Sequence, residues 1–109
     1  MPDMPVACVL TASELRDRER WLVEALGAET ERVERLPNGY AIQLRGTHET
    51  LVKVAELISL ERQCCPFLAL TLTVEPAEGP LHLSLTGPEG TAEFLSATLI
   101  AALGRSALA

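Results

Sequence analysis

The sequence predicts an α+β fold: a two-layer sandwich in which helices cover one face of a four-stranded antiparallel sheet. Two observations predict it. Four short runs alternate apolar and polar residues, the period-2 signature of strands with one buried face, and they fall into two pairs joined by turn residues. Three other stretches carry apolar residues at helical spacing. With 109 residues and 48% hydrophobic content, the chain fits a single domain, residues 1–109, with a sizeable core. Trp21, Tyr40, Phe67 and Phe94 are its only aromatic residues, so that core must be aliphatic.

The first helix is read over Thr11 to Leu26. Thr11 followed three residues later by Glu14 fits a capping box, Leu15, Leu22, Ala25 and Leu26 share a face, and Gly27 supplies the stop. Arg32 to Leu36 and Tyr40 to Arg45 flank Pro37-Asn38-Gly39, and Asn-Gly between alternating runs is a strong hairpin signal. A second helix, about Glu49 to Cys64, follows Gly46-Thr47 and cannot continue through Pro66. Leu68, Leu70, Leu72 and Val74 alternate with polar or small residues, and so do Leu81, Leu83 and Leu85 beyond a Pro-Ala-Glu-Gly-Pro turn. This is a second hairpin with its leucines inward. Gly87-Pro88 then leads into a third helix, roughly Glu89 to Leu103.

The two hairpin-helix units also resemble each other. At an offset of 41 residues Val33 falls on Val74, Ile42 on Leu83, Leu44 on Leu85, Gly46 on Gly87 and Thr50 on Thr91. Two such repeats, each with one apolar sheet face, pair most simply into one four-stranded sheet, with the first helix added at the N-terminus. The second and third helices are apolar over most of their circumference, more than one sheet can bury. Either the helices cover each other or a second subunit does, and a homodimer is expected.

The chemistry is concentrated in Glu61-Arg62-Gln63-Cys64-Cys65-Pro66-Phe67. Adjacent cysteines do not readily close a disulfide with each other, because neighbouring Cα atoms lie only about 3.8 Å apart, closer than the bond's side-chain geometry prefers. Cys64 and Cys65 therefore read as two thiols. Two soft donors at one place suit a thiophilic metal or metalloid ion such as Zn(II), Cu(I), Hg(II) or As(III), with Cys8, the only other cysteine, as third ligand. Glu61 lies one turn before the pair and could serve as a hard ligand or base. The same thiols also suit disulfide exchange between Cys8 and one of the pair. The plainest alternative is structural: free cysteine often packs as a small hydrophobe, here inside a dimeric interaction module.

Metal binding ranks above thiol catalysis on electrostatic grounds. A reactive thiolate is favoured at a helix N-terminus, whereas this pair sits at the opposite end of its helix, where the dipole opposes negative charge. A bound cation reverses that disadvantage outright. His48 and His82 have no companions at ligand spacing and read as surface residues. No phosphate-binding glycine loop, nucleophile elbow or H-E-x-x-H motif is present.

The net charge of −6, with basic residues interleaved among acids as in Arg16-Asp17-Arg18-Glu19-Arg20, leaves no basic footprint for autonomous nucleic-acid binding. That cluster reads as the solvated face of the first helix. No apolar stretch approaches the ~20 residues of a membrane span. An odd cysteine count with no apolar leader near Met1 points to a reducing cytoplasmic setting without a disulfide framework.

At Glu61-Arg62-Gln63-Cys64-Cys65-Pro66-Phe67-Leu68, continued by Leu72-Thr73-Val74-Glu75, Gly79-Pro80 and Leu85-Thr86-Gly87-Pro88-Glu89-Gly90-Thr91, the chain resembles a family of small bacterial proteins with an E-R-x-C-C-x-F-L motif. Ala7-Cys8 before Leu10-Thr11 extends the resemblance over most of the chain. The Cys-Cys segment is also loosely similar to those of heavy-metal-resistance proteins. Carried over by position, the resemblance implies Cys8, Cys64 and Cys65 as one set and implies no activity.

Overall fold

The computed structural model describes residues 6–7 and 12–108. Helix α1 (Ser13–Gly27) precedes a hairpin of strands β1 (Thr30–Leu36) and β2 (Gly39–Leu44). Helix α2 (His48–Cys64) leads to the second hairpin, β3 (Ala69–Val74) and β4 (Leu81–Thr86). A C-terminal helical run consists of α3 (Thr91–Leu95), a π-helical segment (Ser96–Ile100) and α4 (Ala101–Leu108). All four strands pair antiparallel in one sheet of order β1-β2-β4-β3, so the expected α+β class and element order are those the chain adopts.

The two hairpins meet along β2 and β4, where Tyr40 faces Leu85, Ile42 faces Leu83 and Leu44 faces Leu81. All six side chains are buried. On the other side of β4, Leu70 and Leu72 lie opposite Leu85 and Leu83, half-buried and packed on the same core. Their neighbours Thr71 and Thr73 are exposed, so the register is the one that alternation predicts. Gly39 is required where β2 begins: a Cβ there would run into the Leu85 carbonyl oxygen of the neighbouring strand.

The helices close the core over this leucine face. Helix α1 packs against both α2 and α4, and Leu22, Val23 and Leu26 join Val54, Leu57, Leu99 and Leu103 in one buried cluster. Part of the apolar surface that suggested a second subunit is therefore covered within the chain. Trp21 remains half-exposed beneath two cations, with the Arg18 guanidinium 4.6 Å and the Lys53 ammonium 5.8 Å from its ring centre. No helix among the described residues is long and apolar enough to cross a membrane.

Element ends depart from expectation where capping chemistry decides them. Helix α1 starts at Ser13 rather than Thr11, with Ala12 at its cap position and no side-chain capping bond. Thr11 itself lies outside the described residues. Helix α2 is capped by Thr47, whose hydroxyl accepts the Thr50 N–H at 3.2 Å, so the helix opens at His48. The C-terminal helix begins at Thr91, after Gly90 in the left-handed conformation (φ 96°), and runs past Leu103.

The β3–β4 turn carries an unexpected strain. The Gly79 N–H donates to the Pro76 carbonyl (3.1 Å), and the two residues between them, Ala77 and Glu78, both have left-handed φ, 57° and 58°. That is a type I′ turn, which suits a hairpin but favours Asn-Gly over Ala-Glu. Each ordinary residue held there costs on the order of 1–2 kcal/mol. Replacing Ala77→Asn together with Glu78→Gly should raise stability by about 1–2 kcal/mol in urea unfolding. An unchanged or lower midpoint would show that the turn stores no such strain.

Candidate metal centre

The centre is built where α2 stops. The last helical bond runs from the Cys65 N–H to the Glu61 carbonyl (2.7 Å), and Cys65 then leaves helical geometry, at φ −124° and ψ 76°. Pro66 enforces this, because its ring disfavours helical backbone in the residue before it. In a continuing helix consecutive side chains would diverge by about 100°. The break instead swings the Cys65 side chain toward its neighbour, and the two sulfurs lie 3.6 Å apart.

Both cysteines are buried, Cys64 at 1% and Cys65 at 3% exposure. They form a small core with Phe67, against which Val6, Leu68 and Phe94 pack, and the Phe67 and Phe94 rings meet edge to face at 5.5 Å. Glu61, one turn back on the same side of α2, is also buried (4% exposed). One ligand atom from each of Glu61, Cys64 and Cys65 lies within 4.8 Å of the others. Three of the four expected site residues are thus together, while Cys8 lies outside the described residues. His48 is exposed, and His82 pairs loosely with Glu75 at 3.7 Å, away from this centre.

The sulfurs are not equivalent. Cys65 is a free thiol, whereas Cys64 is disulfide-bonded. The expectation of two thiols therefore holds for Cys65 and is corrected for Cys64. The argument against a bond between chain neighbours stands, but it leaves each sulfur able to bond elsewhere.

Sequence reasoning missed Glu19. It acts on the Glu61 carboxyl by charge and polar contact, as Glu61 and the Cys65 thiol act on each other. Three interacting polar groups so lie in series from the buried sulfur to half-buried Glu19 on α1. Its signal was present: Leu15, Glu19, Leu22 and Leu26 follow one another at helical spacing, which puts a carboxylate within the core-facing stripe of α1. Reading residues 16–20 as a solvated cluster concealed it.

Burial sets the protonation of this centre. It pushes the Glu61 carboxyl up to about 8, helped by the hydrogen bond to Glu19 and by its negative charge, while the Cys65 hydrogen bond acts in the opposite sense. Burial also pushes the Cys65 thiol up, and the Glu61 charge adds to it. Beside these three groups opens a cavity of about 350 Å³, with Glu19, Arg16 and Arg20 on one side and apolar residues of α3, the π-helical segment and α4 on the other.

The raised Glu61 value links stability to pH. Between the ordinary carboxylate value of 4.5 and about 8, the unfolded chain has released this proton and the folded chain keeps it. The contribution is complete below the lower value and lost as pH rises to the upper one. Glu61→Gln keeps a neutral side chain able to make both hydrogen bonds. It should flatten this part of the pH profile and be more stable than wild type at pH 8 by on the order of 2–4 kcal/mol. Urea unfolding of both proteins at pH 5 and pH 8 checks it, and a difference that does not change with pH counts against the assignment.

No protein-family model, curated protein or solved structure matches the chain.

Proposed function

We propose that the reduced protein binds a thiophilic metal or metalloid ion through Cys64 and Cys65, with Glu61 as a further ligand and Cys8 completing the set. The observation that carries this reading is the approach of three buried ligand atoms to within 4.8 Å of one another. Two thiolates sharing one tetrahedral Zn(II), with bonds of about 2.3 Å, sit about 3.8 Å apart. The 3.6 Å separation of the two sulfurs is close to that requirement. The charge balance supports it as well. Buried carboxyl and thiol groups resist ionising together, and a cation is the occupant that lets them do so. Because Cys64 is disulfide-bonded, the ion-binding form follows its reduction.

A second reading, thiol–disulfide exchange, is favoured by one observation: the free Cys65 thiol lies 3.6 Å from the disulfide-bonded Cys64 sulfur. It ranks lower because the thiolate is the attacking species, and burial with the Glu61 charge disfavours that form.

Native mass spectrometry of phosphine-reduced protein with Zn(II), Cu(I), Hg(II) or As(III) added in turn tests the proposal. Reduced wild type should carry one equivalent of at least one of them. The double variant Cys64→Ser with Cys65→Ser should carry none while keeping its far-ultraviolet circular dichroism. Cys8→Ser should weaken three-coordinate binding if Cys8 is the third ligand. Retention of every ion by the double variant sinks the reading. A protein that takes up no ion but reduces a disulfide substrate establishes the second one.

A further inference from the structure

Resting on that reading, we infer that the centre accepts a monosubstituted organoarsenic(III) compound, its arsenic on Cys64 and Cys65 and its organic group in the adjoining cavity. Two observations lead there. The cavity of about 350 Å³ has Glu61, Cys64 and Cys65 in its lining, so a group carried by an atom on the two sulfurs extends directly into it. Apart from Arg16, Glu19 and Arg20 at its polar side and Thr98, its other walls are Val23, Phe94, Leu95, Leu99 and Ala102, an apolar surface that a hydrated inorganic ion cannot use. An apolar cavity of about 150 Å³ is enough to hold benzene, so a phenyl group fits with room to spare.

The valence of arsenic selects the class. Trivalent arsenic forms three covalent bonds, and in a monosubstituted compound carbon fills one, leaving two for a pair of thiols. Inorganic As(III) needs a third thiol, and an organomercury cation commonly takes only one. The step is an exchange without redox change: two As–O bonds of R-As(OH)2 break, two As–S bonds form, and each thiol proton leaves with a hydroxyl as water. The reductant that frees Cys64 is a phosphine, supplied before the arsenical.

The wall itself has an unusual backbone. Thr98 and Leu99 line the cavity from the π-helical segment Ser96–Ile100, the only departure of this kind among the described residues. Such segments are frequent at functional sites. The wider turn places Leu99 in the buried wall while leaving Thr98 exposed at the rim.

The test compares phenylarsine oxide with methylarsonous acid on reduced protein, by titration calorimetry and native mass spectrometry. Both offer the same two-thiol arsenic and differ only in the organic group. Wild type should bind the phenyl compound at least tenfold more tightly, as burial of the ring demands. Ala102→Trp, and independently Thr98→Trp at the exposed rim, should remove that preference while methylarsonous acid still binds. Cys8→Ser should retain the phenyl compound and lose arsenite. Equal affinity for the two compounds in wild type, or a preference that survives both tryptophan variants, overturns the inference and leaves ion binding standing. Failure of reduced wild type to bind any arsenical or thiophilic ion overturns both.

Discussion

Pro66 fixes where α2 ends, and the chemistry of the chain depends on that ending. Without it the helix would carry Cys64 and Cys65 on faces about 100° apart, one toward the core and one away from it. Because proline disfavours helical backbone at Cys65, the turn opens there, and Leu68 donates to the Cys65 carbonyl (3.0 Å) as the chain swings toward β3. Both sulfurs then enter the same small core with Phe67, above Glu61. The same reversal aims the chain into the edge strand whose leucines complete the sheet face. One residue so couples the geometry of the centre to the register of the second hairpin.

The sheet was readable because its information is local and periodic. Leu70, Leu72, Leu83 and Leu85 alternate with polar residues, one face is buried, and a one-residue slip would expose all four, so pattern and packing agree. The centre was readable in part. Adjacent cysteines before a proline announce themselves, and Glu61 follows from helical spacing. The burial of Glu61 and its bond to Glu19 did not follow, because they depend on α1 packing across α2, a contact between residues far apart in sequence. The disulfide on Cys64 was legible only as the alternative of exchange between Cys8 and one of the pair, since it is not a bond within the adjacent pair. The Ala77-Glu78 turn was hidden differently: its residues carry no preference for left-handed backbone, and hairpin closure imposes it.

The centre is at odds with its surroundings in a way that an inert core would not be. Glu61 occupies a position where aliphatic packing would serve the fold better, since a buried carboxyl must keep its proton or find a charge to balance it. Without a bound cation that balance is met by protons: burial, with Glu19 beside Glu61, favours the neutral forms of the Cys65 thiol and the Glu61 carboxyl. Each element of this arrangement is costly alone and satisfied only in company, so removing one partner leaves the others less well matched. A purely structural pair of cysteines needs no carboxyl beside it, because sulfur packs against leucine and phenylalanine without a polar partner. The buried acid beside the sulfurs is therefore what distinguishes this cluster from an ordinary corner of the core, and α1, which contributes no sulfur, meets it through Glu19.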